Sequence, residues 1–115
     1  MENIKHLYDL YRELSTKEFA LANMLSAFAS DDGTLKHNGK HIVGTELCEY
    51  LGDNYETFNR IMTSLSRKGV IGRVRIKSEF SYCTDYRVWV ANPYIYEVNS
   101  AKNEIVEHFK NFKWD

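Results

Sequence analysis

The sequence predicts an α+β fold, and three consecutive patterns between residues 45 and 91 predict it. Two apolar stripes at helical spacing are separated by Gly52, and a basic stretch with strand-like alternation follows Gly69. Apolar residues that recur every three or four positions indicate amphipathic helices, whereas strict alternation indicates half-buried strands. At 115 residues, the chain is long enough for one domain with a single modest core.

The first of the two helices is predicted to begin at Thr45, because a threonine hydroxyl can accept a hydrogen bond from the free amides of a first turn. Leu47, Tyr50 and Leu51 recur at helical spacing and should face the core. Gly52 supplies the positive φ with which many helices end.

The second helix is predicted to begin after Asn54, whose side chain can cap it. Gly69 ends it, and Arg67 and Lys68 before that glycine suit the negative end of a helix dipole. We therefore assign a helix-turn-helix to residues 45–69. Its second helix should bury a stripe with the spacing of an amphipathic helix, formed by Phe58, Ile61, Met62 and Leu65.

The outward face of the second helix carries mostly side chains that can donate hydrogen bonds. In docked helix-turn-helix proteins, this part of the helix reads base edges in the major groove. There Arg60 suits guanine and Asn59 suits adenine, whereas Tyr55 and Thr63 suit phosphates. The alternative is that Arg60 and Arg67 are ordinary solvated cations on a helix surface.

A basic β-ribbon is predicted over residues 70–91, directly after the helix-turn-helix. Residues 73–77, RVRIK, alternate cations with β-branched residues, which places the cations on one face of a half-buried strand. The partner strand is predicted at 82–90, with the turn at 77–81. A cationic ribbon beside such a helix suits contact with phosphates. The candidate DNA-binding residues of helix and ribbon are Asn54, Tyr55, Glu56, Asn59, Arg60, Thr63, Arg67, Arg73, Arg75 and Lys77.

The basic residues are concentrated in this part of the chain. Residues 54–77 contain six Lys or Arg against Glu56 alone, a net charge of +5, whereas the rest of the chain carries −6. Such polarisation predicts one basic face on an otherwise acidic body. The overall pI of 6.4 suggests either site-specific, salt-sensitive DNA binding or a surface meant for an acidic protein.

Further elements are predicted upstream. Ser15 and Glu18 form a capping box that opens a helix to about Ala29. Residues 37–39, His-Asn-Gly, indicate a hairpin turn in a short strand segment before the helix-turn-helix. We expect that segment to pair with the ribbon.

Apolar stripes at helical spacing also predict an N-terminal helix over residues 3–14 and a C-terminal helix over residues 100–113. Asn99 or Ser100 is the expected cap of the latter. These helices exceed what a small core needs, so they could dock on the core or on a partner chain. A homodimer formed through them would read two DNA half-sites about one turn apart.

The chain carries none of the GxGxxG, Walker, GxSxG or HExxH motifs. We therefore expect no enzyme activity, no catalytic residues and no cofactor. His37 and His41 flank the predicted turn without the spacing of a metal site, so no metal is expected either. Cys48 and Cys83 fit a reducing compartment. Without a signal-peptide pattern or a long apolar run, a cytoplasmic protein with no membrane contact is expected.

Residues 45–71 resemble the helix-turn-helix of the broad MarR-like winged-helix superfamily. The resemblance implies a winged helix-turn-helix, a three-helix core plus a β-ribbon wing, here with additional N- and C-terminal helices in one domain spanning residues 1–115. Residues 89–96, WVANPYIY, are similar to replication proteins of the RepL type from plasmids and phages. The residues that match the superfamily pattern are Thr45, Glu46, Leu47, Cys48, Leu51, Gly52, Asn54, Phe58, Leu65, Lys68, Gly69, Val70 and Ile71.

Two functions of different class follow from these patterns. The first is a double-stranded DNA-binding protein of a plasmid, phage or chromosome that regulates replication or transcription. Its second helix would enter the major groove, and the basic ribbon would contact the flanking backbone. The second is a winged-helix interaction module, such as a phage-type protein that binds a host protein.

Overall fold

The structure is a computed structural model, and it describes residues 12–52, 54–76 and 86–111. The chain forms an α+β fold of helices and two small antiparallel sheets. The predicted N-terminal helix over 3–14 falls almost wholly outside the described residues, as does the predicted turn of the ribbon. In chain order the elements are α1 (Thr16–Leu25), a 3-10 turn (Ser26–Phe28), β1 (Lys36–His37), β2 (Lys40–His41), α2 (Gly44–Leu51), α3 (Tyr55–Arg67), β3 (Ile71–Ile76), β4 (Tyr86–Ala91) and α4 (Asn103–Phe109).

Helix α1 begins as predicted but ends early. The Ser15 side chain accepts from the Glu18 amide, and the Glu18 carboxylate accepts from the Ser15 amide, which confirms the capping box. The predicted extension to Ala29 is wrong. Ser26 donates both its amide and its hydroxyl to the Asn23 carbonyl, and this tightens the chain into a 3-10 turn.

Helices α2 and α3 are joined by the tight turn that the sequence predicts. Gly52 is left-handed, with φ 71°, and the Asn54 side chain accepts from the Thr57 amide at 3.2 Å. The predicted cap at Thr45 is wrong, because α2 starts at Gly44 after Val43, which makes no side-chain cap. The Val43 carbonyl already accepts from the Leu47 amide, so the helical hydrogen bonds begin two residues before Thr45.

The main apolar core lies between helices α1, α2 and α3 and the base of the β3–β4 ribbon. Phe58, Met62 and Leu65 of α3 are at most 2 % exposed, as the predicted stripe requires. They pack with Leu25 of α1 and with Ile71 at the start of β3. Helix α3 is thus held by its apolar stripe, and its opposite face is left to solvent.

The short hairpin before α2 is confirmed. Strands β1 and β2 pair across Asn38 and Gly39, whose φ values of 53° and 79° suit a two-residue turn. The segment that leads into the hairpin pairs with the ribbon, as predicted: Thr34 bridges to Val90, and the Leu35 amide donates to the Trp89 carbonyl.

Strands β3 and β4 form the predicted antiparallel ribbon, with Ile71 opposite Ala91 and Ile76 opposite Tyr86. Successive side chains point to opposite faces of a strand, so the two faces of the ribbon can be assigned. One face carries Ile71 and Ala91 into the core between the helices. The other face forms a second apolar cluster with Ile105, Phe109 and partly buried Tyr94, and its members from the strands are Val74, Ile76, Val88 and Val90.

The C-terminal helix differs from the predicted 100–113. Helix α4 spans Asn103–Phe109 and follows Lys102, which makes no side-chain cap, so the predicted caps Asn99 and Ser100 are wrong. The preceding residues are instead held by main-chain hydrogen bonds, from Ser100 to Asp31 and from Lys102 to Asp32. Residues 112 and 113 lie outside the described part of the chain.

The apolar face of α4 is used within its own chain. Ile105 and Phe109 are fully buried against the ribbon. A Cβ on Gly72 would come within 2.7 Å of the His108 ring, so the helix lies almost on the strand backbone. Since these side chains are already covered within the chain, α4 does not expose them, and the homodimer through the terminal helices stays a prediction.

A buried asparagine fixes the junction between α3 and the ribbon. Asn92 follows β4, is completely buried, and donates through its side-chain amide to the Gly69 carbonyl at 2.6 Å. Its side-chain oxygen accepts from the Tyr94 amide, and its own amide donates to the Val70 carbonyl. One side chain therefore ties the end of α3 to the chain that leaves the ribbon.

We expect Asn92→Ala to lower the free energy of unfolding by about 2 kcal/mol, since it leaves the buried Gly69 carbonyl and the Tyr94 amide without these bonds. Chemical denaturation measures this. Asn103→Ala, an exposed position on α4, serves as the control and should change little. Equal stability of the Asn92 variant and wild type would contradict this role.

An ion pair between exposed Lys68 and the buried carboxylate of Glu18 joins α1 to the end of α3. The Glu18 carboxylate accepts from the Lys68 ammonium at 2.7 Å, from the Ser64 hydroxyl and from the Ser15 amide. Burial alone would raise the pKa of Glu18, but these hydrogen bonds outweigh it and lower the pKa to about 2. Because the folded pKa lies below the ordinary value of 4.5, the ionised carboxylate stabilises the fold above that pH.

We expect Glu18→Gln to lower the free energy of unfolding at neutral pH by about 2–3 kcal/mol. Wild type should lose this contribution as the pH falls from 4.5 towards 2, whereas the variant should lack that part of the acid loss. Denaturation at several pH values measures both effects. The exposed Glu49→Gln is the matched control. If the free energy of unfolding fell in parallel with pH for wild type and Glu18→Gln, this role of the Glu18–Lys68 ion pair would be contradicted.

Candidate nucleic-acid interface

The outward face of α3 is a polar stripe opposite its buried one. Glu56, Asn59, Thr63 and Arg67 recur at spacings of three and four residues, and all four are exposed. Tyr55 in the first turn is 50 % exposed. The helix therefore presents these predicted site residues together, along most of its length.

Two predicted residues of α3 have more particular positions. The side-chain oxygen of Asn54 caps the helix, so this residue acts in the fold and not only at a surface. Arg60 lies on the flank towards α1, where it lines a groove with Lys17, Thr57 and Ser64. Arg60 is still exposed, but it belongs to the edge of the polar stripe rather than to its centre.

Lys68 does not contribute a free positive charge to the basic surface. Its ammonium pairs with the buried Glu18 carboxylate and also donates to the Glu13 carbonyl at 3.4 Å. The count of +5 for residues 54–77 therefore overstates the available charge. The composition of the window could not reveal this, because Glu18 lies 50 residues away in sequence.

The ribbon brings together more cations than the sequence analysis assigned. Arg73 and Arg75 lie exposed on one face of β3, as predicted. The register places Arg87 directly opposite Arg75 and Trp89 directly opposite Arg73. Arg87 is exposed, and the Arg73 guanidinium lies 5.3 Å above the Trp89 ring. We call the exposed guanidinium groups of Arg73, Arg75 and Arg87 the arginine face.

The sequence did carry a signal for the residues that were missed. In the stretch YRVWV, residues 86–90, Arg87 and Trp89 alternate with side chains of the opposite face. Their alignment with Arg73 and Arg75 depends on the register between β3 and β4. The turn between the strands sets this register, and residue types alone do not predict the geometry of that turn. Lys77 lies outside the described residues.

The arginine face carries net positive charge. Among residues 12–52, 54–76 and 86–111, no carboxylate forms an ion pair with Arg73, Arg75 or Arg87. The nearby His108 adds no charge at neutral pH, because burial, and then the positive charge of Arg87, lower its pKa. Within the described part of the ribbon, these cations are therefore not neutralised by an ion pair.

The arginine face lies on the side of the ribbon that faces the helices. It shares its strand face with Ile71 and Ala91, which pack into the core between the helices. The Trp89 indole nitrogen is 3.8 Å from where a Cβ on Gly44, the first residue of α2, would lie. The surface of α4, by contrast, is on the opposite side of the ribbon.

Other kinds of site find little support in the described residues. No group of three or more His, Cys, Asp or Glu in the described part of the chain could hold a metal ion. Cys48 is buried in the core, and Cys83 lies outside the described residues. None of the helices described has the length and apolar character that a membrane span needs.

No protein-family model matches the chain, and no curated protein or solved structure is significantly similar to it.

The cap of α3 can be tested apart from any ligand. We expect Asn54→Ala to lower the free energy of unfolding by about 1 kcal/mol, because the Thr57 amide loses its acceptor. Asn54→Ser should restore most of this stability, and Asn59→Ala on the same helix should have little effect. Thermal denaturation measures all three. If the alanine and serine variants at position 54 were equally destabilised, the cap would not be the cause.

Proposed function

We propose that this chain is a winged helix-turn-helix protein that binds double-stranded DNA and regulates replication or transcription. In this proposal α2 and α3 are the helix-turn-helix and the β3–β4 ribbon is the wing. The order of elements, the left-handed Gly52 turn and the capped α3 support it. The resemblance of residues 45–71 to the MarR-like superfamily, and the weaker one to RepL-type proteins, point the same way.

The arginine face is the observation on which the proposal rests. Three exposed guanidinium groups, with no ion-pair partner among the described residues, lie on the side of the ribbon turned towards the helices. Packing does not require them there, since the fully buried apolar residues of the ribbon lie on its other face and at its base, and Trp89 on the same face is only partly buried. A polyanion would supply the missing counter-charge.

In this proposal the polar stripe of α3 and the arginine face contact different parts of the DNA. The polar stripe of α3 would enter the major groove, where Asn59 can pair with adenine and Arg67 or Arg60 with guanine or phosphate. The arginine face would contact the backbone beside it. Glu56, the anion of the stripe, can accept from the amino group of cytosine. Affinity would come mainly from the ribbon and sequence preference mainly from α3.

The charge distribution predicts how binding should behave. The chain outside residues 54–77 carries −6 even with Arg87 included, so the protein should repel DNA away from this surface. Binding should therefore be strongly oriented and should weaken steeply as salt rises.

A second candidate function is a winged-helix module that binds another protein. Tyr55 and Val43 are each 50 % exposed, and Val43 borders a cavity of about 210 Å³ with Phe28 and Leu47. Such exposed apolar side chains suit a protein partner better than a DNA backbone. The partner would then be an acidic host protein that also covers the arginines.

A titration with mixed-sequence duplex DNA at several salt concentrations separates the two. We expect measurable binding at low salt and a linear fall of log affinity with log salt. Arg73→Ala and Arg67→Ala should each reduce the steepness by about one, the loss expected for one phosphate contact. Fluorescence anisotropy of a labelled duplex gives these slopes.

Lys110→Ala is the matched control, because Lys110 is an exposed cation at the end of α4, on the other side of the ribbon. It should leave the slope unchanged. Undetectable binding at low salt would contradict DNA binding by this surface, as would a Lys110→Ala slope reduced as much as those of the arginine variants. Either result would favour the protein-binding module instead.

A further inference from the structure

Arg75 and Arg87 form a like-charged pair in the middle of the ribbon. They are direct partners across β3 and β4, on the same face, and both are exposed. Directly opposed residues of an antiparallel pair have Cα atoms only about 4.5–5.5 Å apart. Like charges in this arrangement destabilise a sheet. The fold thus places two arginines opposite each other in an arrangement that weakens it.

The neighbouring cross-strand pair shows a different arrangement. Arg73 also faces outward, but its partner is Trp89, and the guanidinium lies over the indole ring. That contact attracts a cation and restrains its side chain. The residue opposite Arg75 is Arg87, and among the described residues no aromatic ring lies against Arg75 in this way. An anion bound between the two arginines would offset their repulsion, and the described residues do not provide one.

We propose that Arg75 and Arg87 together bind a single phosphate group of the nucleic-acid backbone. This inference rests on the proposed DNA-binding function and adds Arg87 to its site. Each guanidinium presents a planar set of N–H donors that matches the oxygens of a phosphate. A phosphodiester has two non-bridging oxygens, one for each arginine, and its charge relieves the repulsion across the strands.

Sharing of one phosphate predicts a non-additive effect on salt dependence. The steepness of log affinity against log salt counts the phosphates that the protein neutralises. Arg75→Ala or Arg87→Ala alone should reduce it by less than one, because the remaining arginine still holds the phosphate. The double variant should reduce it by about one in total. Adding Arg73→Ala to Arg75→Ala should give the sum of the two single effects and serves as the additive comparison.

The free protein supplies a second readout that a structural role would not give. Removal of one member of a like-charged pair should raise the Tm of Arg87→Ala by about 1–4 °C while duplex affinity falls. Lys110→Ala should change neither quantity appreciably. A lower Tm for Arg87→Ala would overturn the proposal, since the arginine would then be held by the fold itself.

The outcomes distinguish this inference from the proposed function. If wild type binds duplex DNA and the double variant has an unchanged slope, or one reduced by about two, the shared phosphate is wrong although DNA binding stands. If wild type does not bind duplex DNA, the Tm is compared in phosphate and in chloride at equal ionic strength. Phosphate stabilises most proteins by its exclusion from their surface, so the rise in Tm is compared with that of the double variant. A larger rise for wild type would keep the phosphate site without the duplex, and an equal rise for both proteins would overturn this site as well.

Discussion

The arrangement of this protein depends on the buried junction at which α3 ends and the ribbon begins. Asn92 holds the Gly69 carbonyl and the Tyr94 amide, and its own amide bonds to Val70. A buried polar side chain is costly unless its bonds are satisfied, so only a narrow range of geometries is favourable here. The direction of the ribbon relative to α3 is thereby fixed. The shape of any surface formed by α3 and the ribbon together therefore depends on the junction at Asn92.

Two further contacts stiffen that surface. The ion pair of Glu18 with Lys68 anchors the end of α3 to α1, at the expense of one cation of the basic segment. Helix α4 covers the apolar face of the ribbon, which leaves the other face to carry the arginines. A two-stranded ribbon alone is marginally stable in water, so this covering helix supports the arginine face from behind. One face of β3 and β4 thus packs against α4 and stabilises the ribbon, and the opposite face carries the arginines.

Local patterns predicted most of the fold, and contacts between distant residues account for what they missed. The Ser15 capping box and the Gly52 turn act within a few residues, so the sequence was sufficient for them. The segment before α4 is held by main-chain bonds to residues far away in the chain, and α2 begins without a side-chain cap. The same holds for the candidate site. The exposure of Arg73 could be predicted from the alternation of cations and β-branched residues in β3. Its pairing with Trp89 could not, because it depends on the register between β3 and β4.

We propose that the polar stripe of α3 and the arginine face lie on one flank and bind one DNA duplex together. Amide chemical-shift mapping of the labelled protein during titration with duplex DNA tests it most directly. The account predicts that the shifts concentrate at residues 55–67 of α3, at 73–75 and 87–89 of the ribbon, and near Gly44. Shifts centred on α4 or on the β1–β2 hairpin, with the arginine face unaffected, would contradict it.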